Sequence, residues 1–157
     1  MKRKLLMWMT LLLLALPCIC SASQNNLVKI GNTSNGVAYI DSSNVTAIKK
    51  DNNLFVVVPM EEHYTNPQFL AKLRNSGPKL KKAAMTVYLY MFNNNGTKYC
   101  IVSRFITDKE GKICADLGKD LTMKSVDNSV VLIKAYEAAY SVLERKQKLM
   151  QSIKRGG

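Results

Sequence analysis

The chain reads as an α+β protein: an antiparallel β-sheet of about five or six strands with a long C-terminal helix packed on it. Three observations carry that reading. Short β-branched and aromatic runs recur between turn signals from residue 37 to residue 115. Asn95-Gly96 joins the two strongest runs as a hairpin, because Asn-Gly accepts the positive φ angles of a tight turn. From Asn128 to about Gln151 there is no Gly or Pro, and apolar residues recur at helical spacing.

The first residues form a separate unit. Lys2, Arg3 and Lys4 precede an apolar run from Leu5 to Leu16 broken only by Thr10; Pro17 ends it, and Ser21, Ala22 and Ser23 follow. This is the charged, apolar, small-residue order of a secretory signal peptide, expected over residues 1–23 with cleavage after Ala22 or Ser23. The run is shorter than the roughly 20 apolar residues of a membrane span, so no transmembrane anchor is expected after processing. Cys18 and Cys20 raise lipid attachment as an alternative, although neither follows the small residues that such a signal uses. The remainder, residues 24–157, is read as one domain with its core at about 37–150.

The strands follow in order. Val37 to Asp41, Val45 to Lys50 and Leu54 to Met60 are expected strands, the last two joined across Lys50-Asp51-Asn52-Asn53. The continuous run Leu54-Phe55-Val56-Val57-Val58 reads as a strand covered on both faces. Asn66-Pro67 opens a short helix with Asn as cap, lined by Phe69, Leu70 and Leu73 and closed by Gly77-Pro78. Met85 to Phe92, Thr97 to Thr107 and Lys112 to Ala115 form a meander. With Asn95-Gly96 at the turn centre, paired positions sum to 191. Tyr88, Tyr90, Phe92, Tyr99, Ile101 and Phe105 then share one face, and Val87, Leu89, Met91, Cys100 and Val102 the other. Both faces are apolar. The C-terminal helix, capped by Asp127 and lined by Leu132, Tyr136, Ala139, Tyr140 and Leu143, covers one. Lys146, Lys148, Lys154 and Arg155 load its end, which suits the helix dipole. The second face is left to the short helix from Pro67 or to a partner subunit, which makes a homodimer an expectation.

Charge is uneven. Without Lys2, Arg3 and Lys4 the chain keeps 20 basic residues against 11 acidic, about +9. No acid occurs between Glu62 and Asp108, where Lys72, Arg74, Lys79, Lys81, Lys82, Lys98 and Arg104 lie. Such a stretch attracts acidic surfaces. Export argues against nucleic acid and for an acidic protein or glycan, with an anionic lipid head group as a further option.

The chemistry of catalysis is sparse. His63 is the only histidine, and with Glu61 and Glu62 it falls short of a catalytic zinc ligand set. No glycine-rich phosphate loop occurs, and neither metal nor cofactor is expected. Asn32-Thr33-Ser34, Asn44-Val45-Thr46 and Asn95-Gly96-Thr97 match the glycosylation acceptor pattern, which matters only in a eukaryotic secretory path. Cys100 and Cys114 remain after processing. With Lys109-Glu110 at the second turn centre, Cys114 faces Phe105, five residues and roughly 17 Å from Cys100. A disulfide needs Cα atoms within about 7 Å, so two free thiols are expected.

Several of these segments together resemble the bacterial surface-adhesin protein E-like domain. They are Tyr39-Ile40-Asp41 with Ser42-Ser43-Asn44-Val45, Tyr99-Cys100, Asp108-Lys109-Glu110-Gly111-Lys112, and Val126-Asp127-Asn128-Ser129, spread over about residues 37–145. The resemblance implies an antiparallel sheet with a C-terminal helix, an envelope location, dimers and binding of host extracellular proteins. The chain departs from that pattern in lacking a late Cys and a clear lipid-attachment signal. The expected function is an exported, non-enzymatic, adhesin-like envelope protein in the bacterial periplasm or on the cell surface. Its binding residues would be Lys72, Arg74, Lys79, Lys81 and Lys82, with Tyr88, Tyr90 and Tyr99 as an aromatic contact. The alternative is a periplasmic structural or assembly factor that grips a protein through the aromatic sheet face; a small thiol enzyme is the third reading.

Overall fold

The computed structural model describes the backbone of residues 26–155 and side chains through residue 151; the expected signal peptide lies outside the described residues. Among the described residues, eight strands and two helices follow one another: β1 (Leu27–Asn32), β2 (Gly36–Asp41), β3 (Thr46–Lys50), β4 (Asn53–Tyr64), α1 (Pro67–Asn75), a 3₁₀ turn (Pro78–Leu80), β5 (Met85–Asn93), β6 (Lys98–Thr107), β7 (Ile113–Asp116), β8 (Asp120–Ser125) and α2 (Val130–Arg155). All strands lie in one antiparallel sheet, with β1-β2-β4-β5-β6-β7 side by side. β2 and β3 share one edge of the long β4, and β7 and β8 share the outer edge of β6. The fold is therefore α+β, as the sequence predicts.

The core lies between the sheet and α2. Val56, Val58 and Met60 of β4, Tyr90 and Phe92 of β5, and Ala38 and Ile40 of β2 meet Leu132, Ala135, Ala139 and Val142 of α2. Ala135 and Ala139 are fully buried, which lets the helix backbone approach the sheet closely. Tyr136 fixes one end of α2: its hydroxyl donates to the Asn94 carbonyl, and its ring lies over Gly96. A Cβ at Gly96 would stand 2.3 Å from that ring, and φ there is +69°, so glycine serves both the turn and the contact. Further along, Lys146 Nζ donates to the carbonyls of Ser43 and Val45, each at 3.0 Å.

The expected strands and α1 are all present, and two strands were not foreseen: β1 and β8. Four details differ. The hairpin register sums to 191 for Phe92–Tyr99, Met91–Cys100 and Tyr90–Ile101, then shifts by one at a bulge, so that Leu89 faces Ser103. The extra residue in β6 moves Phe105 opposite Val87, onto the other face from Tyr88, and places Arg104 opposite Tyr88 instead. In the second turn, Asp108 N–H donates to the Lys112 carbonyl, which centres it on Glu110; Phe105 then pairs with Asp116 rather than Cys114. The α2 cap is Ser129, whose hydroxyl accepts from Leu132 N–H at 3.3 Å, not Asp127. Val126, 3 % exposed, is tucked into the core, and a turn from Val126 to Ser129 delays the helix start. Finally, β4 is not covered on both sides; its residues alternate between buried and half-buried from Phe55 to Met60.

The aromatic face predicted for β5 is the one beneath α2. Phe69 of α1 packs edge-on against Tyr64, which shares that same face with Met60 and Glu62. The opposite face is left half-exposed at Val57, Pro59, His63, Leu89 and Met91.

Candidate functional site

The chain between β4 and β5, residues 65–84, leaves the sheet and returns to it. Its shape follows from a few bonds. Asn66 Oδ1 accepts from the N–H groups of Gln68 and Phe69 at 3.0 and 3.2 Å, and Pro67 occupies the first turn, so α1 starts there. Ser76 ends it, its N–H returning to the Leu73 carbonyl. The 3₁₀ turn then leads to Ala83, which is fully buried. Arg74 ties the two limbs together: Nε and Nη2 both donate to the Ala83 carbonyl, at 3.3 and 3.0 Å. Tyr64 N–H donates to Ala84, and Ala84 N–H donates to Thr107, so both feet rest on the sheet.

Lys72, Arg74, Lys79, Lys81 and Lys82 are all exposed on this excursion. Among the described residues the close contacts between basic and carboxylate side chains are His63–Glu61 and Lys124–Asp120, so none of the five is paired with a carboxylate. β7 packs against the 3₁₀ turn. Burial pushes the Cys114 thiol up, with the Asp108 charge adding and the Lys112 and Lys82 charges opposing. Lys112 and Lys82 therefore both lie within electrostatic range of the Cys114 thiol. The sequence reading missed Lys112; the signal was the meander itself, which returns residue 107 to residue 84.

The three predicted aromatic contacts lie elsewhere. Tyr90 is a core residue at 6 % exposure, and Tyr88 and Tyr99 pack half-buried against the same core. The Tyr88 and Tyr90 rings stack at 5.2 Å, and Tyr99 meets Tyr90 edge-on at 5.7 Å. The structure therefore groups the five basic residues on the excursion, whereas Tyr88, Tyr90 and Tyr99 lie in the sheet itself, on the face that packs against α2.

Two polar groups sit in the sheet beside the excursion. Glu62, 7 % exposed, accepts from the Thr33 hydroxyl at 2.5 Å and the Tyr88 hydroxyl at 3.2 Å. Burial raises the Tyr88 hydroxyl pKa, and the Glu62 charge raises it further; burial likewise raises Tyr64 and Tyr90. Glu62 is thereby a satisfied buried carboxylate that links β1's end, β4 and β5. On the opposite face His63 Nε2 lies 2.6 Å from Glu61, and its ring contacts Tyr39 at 5.0 Å. His63 is one residue from Glu62 but points away from it, so the three acid–base groups do not converge.

Cys100 and Cys114 are free thiols, and Cys100 is 1 % exposed. Burial raises both, which disfavours the thiolate a nucleophile needs. Among the described residues no cluster of three or more His, Cys, Asp or Glu side chains forms a metal site, and no helix is long and apolar enough to cross a membrane.

Fold and surface together define a single-sheet α+β domain carrying one basic excursion. Compared with family models, curated proteins and solved structures, the chain matches none of them.

Proposed function

We propose that this chain is an exported, non-enzymatic, adhesin-like binding protein of the bacterial envelope that engages an acidic protein or glycan through the excursion between β4 and β5. One observation carries the reading. Lys72, Lys79, Lys81 and Lys82 project into solvent from one braced segment, with no acid between Glu62 and Asp108 in the sequence to balance them. Arg74 contributes by holding the limbs of that segment together. The resemblance to the surface-adhesin protein E-like domain and the signal-peptide order of residues 1–23 support the envelope setting.

Heparin is a suitable polyanionic probe. Raising ionic strength from about 0.1 to about 1 M shortens the screening length from about 10 to about 3 Å, so retention on heparin should collapse over that range. Replacing Lys79 and Lys81 by Glu should weaken it at low salt. Salt-independent affinity, or an unchanged double variant, refutes the reading. Tyr90 is buried in the core, so the aromatic-face alternative would offer a partner only the exposed parts of Tyr88 and Tyr99. The homodimer is proposed through the half-exposed face of Val57, Pro59, Leu89 and Met91; a monomer in light scattering at high concentration counts against it.

A further inference from the structure

From Glu144 onward, more than three turns, α2 runs past the buried core. From Glu144 to Gln151 every residue is exposed, although the helix runs on to Arg155. Steps of three and four carry the core stripe from Ala135, Ala139 and Val142 to Lys146 and then Met150, so the stripe outlasts the surface it packs on. Lys146 is held by the Ser43 and Val45 carbonyls, and Met150 stays 58 % exposed. Arg145 and Lys148 are exposed on the same overhang, on other sides of the helix from Met150, against one acid, Glu144. Ser42, Val142, Arg145, Lys146 and Leu149 line an open hollow at the base of this overhang.

The chain enters the fold at the same place. Ser42 N–H and Oγ both donate to the carbonyl of Asn26, at 3.0 and 2.8 Å. Twenty-five residues precede Asn26, and their apolar run ends at Leu16. The basic excursion lies at the other pole: Gly36 pairs with Tyr64 at one end of β2, and Ser42 follows its other end, about 20 Å away at strand spacing.

We propose that the overhang of α2 is a docking element for an anionic phospholipid surface. A helix end with an exposed apolar residue on one side and cationic side chains on the others fits the interface of such a bilayer, where lysine and arginine meet acidic head groups and the apolar chain enters the boundary. On the export reading, the segment that crosses a membrane before its removal precedes the domain beside this overhang, and the excursion lies at the opposite pole.

The test is co-sedimentation with phosphatidylglycerol–phosphatidylcholine vesicles and with pure phosphatidylcholine vesicles. The chain is used with the N-terminus that a bacterial host leaves on it, established by intact mass. Wild type should sediment with the acidic vesicles and stay in solution with the neutral ones. Arg145→Glu with Lys148→Glu should lower acidic-vesicle affinity at least tenfold. Met150→Asp should lower it with every basic residue still in place. Lys79→Glu with Lys81→Glu, at the far pole, should leave it unchanged while lowering heparin retention. Circular dichroism checks that each variant keeps its fold. Failure of wild type to sediment, equal sedimentation with both vesicle types, or equal losses from both charge-reversed pairs overturns the proposal. The heparin measurement stands or falls separately from it.

Discussion

Replacing Phe92 by Ala tests whether α2 is seated on the aromatic face of β5. Phe92 has no exposed surface. Its ring lies 6.0 Å from Tyr90, 6.2 Å from Tyr99 and 5.7 Å from Tyr136, so one side chain joins β5, β6 and α2. Truncating a fully buried Phe costs about 3–5 kcal/mol in lost transfer energy and residual cavity. Three aromatic neighbours place this site in the upper half of that range. A domain of this size holds about 5–15 kcal/mol in all, so the variant should lose roughly a quarter or more of its stability. Urea unfolding followed by far-ultraviolet circular dichroism gives the number, with an unchanged slope showing that the same surface is exposed. Val57→Ala, on the half-exposed face of β4, is the internal comparison and should cost about 1 kcal/mol. A Phe92→Ala loss below about 1 kcal/mol, or no larger than that of Val57→Ala, would mean that α2 does not pack where it is described.

Three more outcomes follow from the same geometry. Tyr64, Tyr88 and Tyr90 have hydroxyl pKa values raised above the ordinary 10.0, chiefly by burial. Their contribution to stability is whole below pH 10 and is lost as pH climbs above it, because only the unfolded chain ionises there. Tyrosinate absorbance should therefore rise together with loss of circular dichroism; smooth ionisation near pH 10 in a folded chain refutes this. Ellman's reagent should count the half-exposed Cys114 slowly in the native chain and count Cys100 as well only after denaturation, so rapid native reaction of Cys100 contradicts its burial. Gly36→Ala would set a Cβ 1.8 Å from the His63 carbonyl oxygen. It should cost more than about 4 kcal/mol and abolish a stable fold, and a well-folded variant would show that β2 and β4 can part.

Much of this architecture was legible because local chemistry and tertiary context agree. Asn95-Gly96 fixes the hairpin, Asn66-Pro67 fixes the start of α1, and the absence of Gly and Pro after Asn128 marks α2. β1 and β8 were not legible. Leu27-Val28-Lys29-Ile30-Gly31-Asn32 carries a bulge between Lys29 and Gly31 that breaks its two-residue period, and Asp120-Leu121-Thr122-Met123-Lys124-Ser125 alternates over only two apolar residues, both of which stay exposed, so burial gives no support to its signal. The bulge opposite Leu89–Tyr90 is likewise silent: nothing in Ile101-Val102-Ser103 announces an inserted residue, yet it decides that Arg104 rather than Phe105 shares a face with Tyr88. For the candidate site, the acid-free stretch located the five basic residues. The aromatic contacts were misleading for a physical reason. A strand with two apolar faces does not declare which one the helix takes, and here the richer face, with Tyr88, Tyr90 and Phe92, was taken.

That choice of face shapes what the surface can do. With Tyr90 and Phe92 buried against α2, exposed basic residues group at two places on the fold, the excursion and the end of α2. Arg74 and the Ala83 carbonyl brace one end; Lys146 and the Ser43 and Val45 carbonyls brace the other. In each case one basic side chain is consumed as a structural tie, which leaves its neighbours, Lys79, Lys81 and Lys82 or Arg145 and Lys148, at fixed positions facing solvent. Fixed charges at opposite poles can hold two anionic surfaces apart at a set distance, whereas a patch formed by a loose tail would collapse onto whichever surface it met first. On this reasoning, cutting the Arg74 tie by Arg74→Gln should weaken heparin binding by more than one lost charge accounts for, while leaving vesicle binding at the far pole intact.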